Sequence, residues 1–344
     1  MRIVRSTEQS GTLAPVAVNY LGEIPSTFTH INRFARRQPL AIYNVALTQL
    51  GIDFNRVLDS YHKTKLSVSE GNAGITQDLY NQLLEAQKSL IYSLREYVDD
   101  CYSVLASLVN AAGLPKEAEQ INFSEKWLKA AGFPSLKSFT DSIAQYKFGY
   151  ISPIVNGLKH KQCRLRGLYF SKYLDVRLGY YVEEADINGI PGPLPDIHKD
   201  GNSAFSFSRD ILFNLYNVYH ISEMLVEAIK AALLSYHSFA LNPQKKDNYL
   251  EWGVILQQAA ALPYSVFPDE IDKPLPYFSF EKDGEKESTF IMYPVTTIPL
   301  TFPDGMRIHG FFSADGVTKS YKLPYIVRTK YGATRKVKIE FQKK

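Results

Sequence analysis

The chain has 344 residues, enough for two ordinary domains, and 45% hydrophobic against 22% charged residues argues against wholesale disorder. Two cysteines, Cys101 and Cys163, argue against a disulfide framework, and no apolar run has signal or membrane-span length, so a soluble, cytoplasmic protein with no membrane contact is expected. The net charge of +4 is uneven: Val317 to Lys344 carries nine Lys/Arg and one acid, Glu340, on an otherwise slightly acidic chain. Such a tail suits either a surface that meets phosphate or an acidic partner, or a strand edge protected by Lys.

Residues 1–34 carry little periodicity and are interrupted by Pro15 and Pro25, which predicts an irregular arm or a short strand pair. From Pro39, a residue suited to a first helical position, Leu40, Tyr43, Val45, Leu47, Leu50, Phe54, Val57, Leu58 and Tyr61 recur mostly at three- and four-residue steps. That spacing predicts a helix, with Gly51 as a place for a bend. Ser67 to Gly74 reads as a polar loop. The strongest periodic signal follows: Leu79, Leu83, Leu90, Leu94, Tyr97, Cys101, Leu105 and Leu108 share one face between about Thr76 and Ala112. Gly113-Leu114-Pro115 is a stop signal. Cys101 inside the stripe is expected as a buried thiol, with Asp99 and Asp100 on the wet side.

A short helix is predicted from Ser124 to Ala131, and another from Ser135 through Phe139, Ile143 and Tyr146 toward Ile151, with Ser124 and Ser135 as caps. Pro153 either kinks the second helix or opens a new one. After Arg166 the period drops toward two. Leu168 to Phe170 and Leu174 to Val182 read as strands, Asn188-Gly189 as a turn and Pro191 to Pro195 as a stiff loop, together a β-hairpin insertion. Helical spacing returns with Phe207, Ile211, Leu215, Val218, Leu225, Ile229, Leu233 and Tyr236, and a further helix spans about Asn248 to Ala261. His220 and His237 have no second His or Cys one turn away, so they read as ordinary helix histidines rather than metal ligands. From about Pro263, a Pro-marked linker or crossing segment leads to short strand patterns punctuated by Asp283-Gly284, Asp304-Gly305 and Asp315-Gly316. The fold expected is mainly α: a helical body over residues 1–265 with a β-hairpin insertion near 168–190, then a small antiparallel β domain over 266–344.

The sequence has no phosphate-binding glycine loop, dinucleotide fingerprint, nucleophile elbow or zinc spacing, so no cofactor and no metal are implied. Chemically capable residues crowd instead into Ile154 to Arg166. Asn156 and His160 are four apart and share a helical face, while Lys159, Lys161, Arg164 and Arg166 surround them with positive charge. A histidine changes charge near neutral pH and so can serve as acid or base.

Val155-Asn156-Gly157-Leu158-Lys159-His160 resembles the motif of HEPN-domain proteins, in which an Arg, a polar residue that is often Asn, a short spacer and a His follow one another. Asn156 and His160 match the Asn and the His, Val155 stands at the Arg, and long helices lie before and after. The resemblance covers residues 75–240. It implies an α-helical domain that forms a homodimer, of a kind frequent in bacterial defence and toxin–antitoxin systems. Two facing motifs would then cleave RNA without metal. His160 would be the general acid–base, Asn156 would orient phosphate or His160, and Lys159, Arg164 and Arg166 would neutralise charge, an arginine of the following turn standing in for the missing one. It equally implies a non-catalytic relative that binds RNA, a nucleotide or a partner protein. On the residues alone, Asn156 as a helix-end cap beside a solvated basic patch stays open. A different class is a non-enzymatic scaffold or binding subunit. In it, Tyr-rich surfaces and the basic tail hold a protein partner; on the RNA reading, Arg335, Lys336 and Lys338 of that tail contact phosphate alongside Lys159, Lys161, Arg164 and Arg166.

Overall fold

The computed structural model describes residues 2–6, 13–71, 73–112, 114, 116–172, 175–185, 191–198, 204–242, 250–263, 265–267, 270, 276–283, 287–293 and 308–310. In chain order the elements are β1 (Arg2–Ser6), α1 (Ala17–Leu21), α2 (Pro39–Glu70), α3 (Ala73–Ala106), α4 (Ser124–Ala130), α5 (Leu136–Tyr146), α6 (Ser152–His160), β2 (Arg164–Lys172), β3 (Asp175–Ala185), β4 (Pro191–Pro193), β5 (Phe205–Ser206), α7 (Phe207–His237), α8 (Leu250–Ala260), β6 (Tyr277–Asp283), β7 (Glu287–Tyr293) and β8 (Ile308–Gly310). The chain is mainly helical, with small antiparallel sheets. No helix among the described residues is long and apolar enough to cross a membrane.

The apolar stripes become the core. On α2, Tyr43, Leu47, Leu50, Phe54, Val57, Leu58 and Tyr61 are buried; on α3, so are Tyr80, Leu83, Leu90, Leu94, Tyr97, Cys101 and Leu105. Each such side chain contributes roughly 1.5–3 kcal/mol on leaving water. The expected loop from Ser67 to Gly74 shrinks to a turn at Gly71, whose φ of 76° is left-handed and whose N–H reaches the Ser67 and Val68 carbonyls. Glycine enters that conformation without a Cβ penalty. Hydroxyls at and beside the expected loop instead stitch the helical hairpin together. Thr64 Oγ1 donates to the Leu79 carbonyl at 3.2 Å, and the Ser67 and Thr76 hydroxyls meet at 2.8 Å. α2 runs on through Gly51, which is buried, and Val45 faces solvent off the stripe.

α3 stops at Ala106, short of the expected Ala112: the chain tightens, with the Leu108 and Val109 N–H groups donating to the Leu105 and Ala106 carbonyls, and the N-terminal segment packs on this end. Asn32 Nδ2 donates to the Ala106 carbonyl at 2.8 Å, and the His30 N–H donates to that of Ser107 at 2.6 Å. The expected irregular arm is therefore packed, and it contains α1. α7 buries Phe207, Ile211, Leu215, Val218, Leu225, Ile229 and Leu233 but leaves Tyr236 exposed. Neither Ser124 nor Ser135 caps a helix through its side chain: Ser124 is the first residue of α4, and Ser135 turns its Oγ to the Ala228 carbonyl at 3.2 Å.

Pro153 opens α6 after a π-helical segment, Lys147–Ile151. The Ser152 N–H reaches five residues back to the Lys147 carbonyl, which passes the chain on to a proline that has no N–H to give.

β2 and β3 form an antiparallel hairpin in register from Arg164 opposite Glu183 to Lys172 opposite Asp175. The strand starts at Arg164, inside the basic stretch and earlier than the expected Leu168. β4 and β5 pair with β3, and β8 pairs with Leu168, Tyr169 and Phe170 of β2. Tyr80 of α3 plugs the sheet. A Cβ on Gly167 would lie 2.4 Å from the Tyr80 ring, and the Tyr80 hydroxyl accepts the Gly179 N–H at 2.9 Å.

A second sheet has the order β1, β7, β6, and its hairpin falls where Asp283-Gly284 predicts. Between α8 and β6, Val266 and Phe267 are buried; the Val266 carbonyl takes Arg177 Nη1 at 2.7 Å, and buried Glu270 accepts the Ser206 N–H at 3.1 Å. The described part of this crossing segment is thus clamped to β3 and β5. Asn188-Gly189, Asp304-Gly305, Asp315-Gly316 and the tail with Arg335, Lys336 and Lys338 lie outside the described residues.

Candidate functional site

α6 is amphipathic on a short scale. Ile154, Val155 and Gly157 are buried, while Asn156, Lys159 and His160 face solvent. Asn156 and His160 are therefore exposed together, one turn apart. Lys159 and His160 in the last turn also suit the negative end of the helix dipole. The chain then doubles back: the Lys161 and Cys163 N–H groups both donate to the Gly157 carbonyl, at 3.0 and 3.2 Å, and Gln162 adopts a φ of 55°. A Cβ on Gly157 would stand 3.3 Å from Cys163 Sγ, so glycine lets this outlet fold closely onto the helix.

The cations around the outlet are individually placed. Lys159 Nζ lies 5.3 Å above the Tyr92 ring. Lys161 Nζ meets Asp196 at 3.1 Å; that hydrogen bond, with the charge of the same carboxylate, raises the lysine pKa. Arg166 Nε donates to Glu183 at 3.0 Å, both side chains being largely buried. Arg164 and Arg166 reach the region from strand β2 rather than from a turn. Val155, at the position where the HEPN motif carries Arg, is 3% exposed and belongs to the hydrophobic core.

A cleft of about 530 Å³ lies beside the outlet, between α3 and the start of β2. Arg164 and Arg166 line it, and Asn156, Lys159, His160 and Lys161 are not among its lining residues. Its other polar groups, Gln77, Asn81, Glu85 and Lys88, come from α3 and are absent from the sequence-based candidates. Their spacing, at four-residue steps and then three, is a legible polar stripe on one helical face. Taken alone it resembles any solvated helix. Cys163 also faces the cleft, and burial, with the Glu184 charge, pushes its thiol up to about 11. A thiol that stays protonated is a poor nucleophile at neutral pH.

Elsewhere, His220, His237 and Asp99 have structural partners. His220 Nε2 lies 3.2 Å from the Ser142 carbonyl, and His237 stacks on Phe28 at 3.9 Å. Asp99 and Asp100 are half-buried rather than fully wet. Burial raises both, Asp100 to about 6, and Asp99 meets Arg95 at 3.1 Å. No group of His, Cys, Asp and Glu among the described residues is arranged to hold a metal ion.

A dense polar cluster is buried beneath the π segment. Asp210 accepts hydrogen bonds from Tyr150, from Tyr180 at 2.9 Å, from Gln87 at 2.7 Å and from Asn214 at 3.1 Å. Four elements of the chain meet on one carboxylate. It has no opening to solvent, which fits it for holding the π segment and α6 in place rather than for meeting a substrate. Comparison of the chain with protein-family models, with curated proteins and with solved structures finds no match.

Proposed function

We propose that this chain is a HEPN-like RNA-binding protein whose contact surface is the outlet of α6 and the start of β2. The observation that carries this is the shared exposure of Asn156, Lys159 and His160 on the face of α6 opposite its buried one. Lysine and arginine side chains supply the salt-sensitive phosphate contacts, and amide and imidazole groups add hydrogen bonds. Val155 argues for binding over cleavage: with an apolar residue buried at the motif's Arg position, charge developing on a phosphate loses a stabilising cation.

Fluorescence anisotropy with single-stranded RNA, at low salt and with a chelator, tests the reading. The wild type should bind, and the combined Asn156→Ala, Lys159→Gln and His160→Ala variant should bind at least about tenfold more weakly. Its melting temperature should be unchanged, because all three side chains are exposed. Undetectable RNA affinity of the wild type would refute the proposal.

A second reading, a metal-independent endoribonuclease, is favoured by one observation: Asn156 and His160 share an exposed face without a packing role. In it His160 is the general acid–base, and a homodimer sets two motifs face to face. Chelator-resistant cleavage that His160→Ala abolishes would establish it over the binding reading.

A further inference from the structure

The cleft between α3 and β2 combines apolar with charged and carboxamide lining. Leu84 of α3, Leu158 of α6 and Leu165 of β2 give it apolar lining, with the Cys163 thiol, which burial keeps neutral. Lys88, Arg164 and Arg166 set three cations against one acid, Glu85. Glu85 meets Lys88 only at 3.8 Å on the helix surface, a pair of small worth that an incoming anion can replace at little cost. Arg166 is held in place by Glu183, so its position is fixed before any ligand arrives. Gln77 Nε2 donates to Asn81 Oδ1 at 3.1 Å, placing two carboxamides together, each able to donate and accept.

Arg164, Leu165, Arg166 and Gly167 are consecutive, yet all line the cleft. Since strand side chains alternate between faces, the cleft must run along the strand edge. β8 pairs only with Leu168 to Phe170, so among the described residues no strand covers that edge from 164 to 167. The volume of about 530 Å³ falls within the range of roughly 300–1,000 Å³ usual for small-molecule sites.

We propose that this cleft binds one nucleotide. The phosphate lies against Lys88 and Arg164, the ring packs on Leu84 and Leu158, and the polar edge of the base faces Gln77 and Asn81. An unpaired residue of an RNA strand and a free ribonucleoside monophosphate offer the same chemistry; for the former, the inference rests on the RNA-binding reading above.

Isothermal titration of the full chain with the four ribonucleoside monophosphates, inorganic phosphate and the unphosphorylated nucleosides tests it. Leu158→Trp crowds the apolar lining, Arg164→Gln removes a surface cation, and melting temperatures verify that both fold. At least one monophosphate should bind about tenfold or more tightly than phosphate or its own nucleoside, and each variant should lose about tenfold or more of that affinity.

The same variants are titrated with single-stranded RNA. A parallel loss identifies a residue of the strand as the occupant, and an unchanged RNA affinity beside weakened monophosphate binding identifies the free nucleotide. A wild type that binds no monophosphate better than phosphate, with RNA affinity unmoved by Leu158→Trp, overturns the cleft and leaves the α6 surface standing. Monophosphate binding without RNA binding refutes the RNA reading and retains the cleft.

Discussion

Val155 illustrates how one position limits the chemistry around it. At 3% exposure it is packed into the core, so an arginine there would be stripped of water with no counter-charge prepared for it. Val155→Arg, although it completes the motif in sequence, should lower unfolding stability by several kcal/mol and create no RNA cleavage. Denaturant midpoints and a chelator-resistant cleavage assay check both halves; an unchanged midpoint would mean that α6 is not seated as described.

Gly167 is constrained from the other side. Its Cβ would strike the Tyr80 ring at 2.4 Å, and the ring cannot retreat because its hydroxyl is bonded at Gly179. Gly167→Ala should cost about 1–3 kcal/mol, and Tyr80→Ala should cost stability as well. The double variant should lose less than the two single losses together, since removing the ring removes the clash. Strict additivity in urea melts would show that the two do not touch. The sequence made the exposure of Asn156, Lys159 and His160 legible, because apolar and polar residues separate by helical face in α6. It could not show what Gly167 accommodates: a glycine in a strand signals a close approach without naming the group that approaches.

At the scale of elements, Asp210 ties α3, the π segment, β3 and α7 to one buried carboxylate. Burial raises it to about 6, against the pull of the Tyr150 and Tyr180 hydroxyls and of Arg209, with Glu270 adding to the rise. The folded state therefore holds this proton more tightly than the unfolded chain, whose value is about 3.8. Asp210 contributes most to stability below pH ~4, and that contribution is lost as pH rises to about 6. A shift of this size corresponds to the order of 2–3 kcal/mol. Asp100, raised to about 6 but half-exposed, acts in the same window with smaller weight.

Thermal melts from about pH 4 to 7.5 should show the wild type losing stability relative to Asp210→Asn as pH rises through this window. A difference independent of pH would mean that Asp210 does not titrate there. The long helices were legible because their stripes persist over many turns. Their ends were not. At Ser67, a hydroxyl that suggests a loop in sequence bonds across the helical hairpin to Thr76 instead. At Pro153, a local signal left a kink and a new start equally open until the π segment resolved it. Gln87, Asp210 and Asn214 were visible only as polar residues inside apolar helices, and nothing in sequence shows that three such residues converge.

Across the whole molecule, strand pairing was the least legible feature. β1 pairs with β7 and β8 with β2 over long separations in the chain, and no local pattern records a partner that distant. Charge, in contrast, reads directly from sequence, and it separates two candidate surfaces for the RNA binding proposed above. One is the basic tail after Val317, and the other is the set Lys159, Lys161 and Arg164 at the outlet of α6. For single strands, each phosphate neutralised adds about 0.7 to the slope of log affinity against log salt, so removing three contacting cations should flatten that slope by about 2.

Arg335, Lys336 and Lys338 changed together to Gln, and separately Lys159, Lys161 and Arg164 changed together to Gln, give the comparison. The outlet set should flatten the slope by less than the full amount, because Asp196 already holds Lys161 at 3.1 Å and competes with phosphate for it. The tail set should flatten it fully if the tail lies on the RNA. A slope that the tail set leaves unchanged, beside one that the outlet set lowers, would assign the RNA surface to α6 and β2 alone. A slope moved only by the tail set would remove the ground for an RNA surface at α6. The HEPN-like motif would then be a resemblance of sequence without a share in binding.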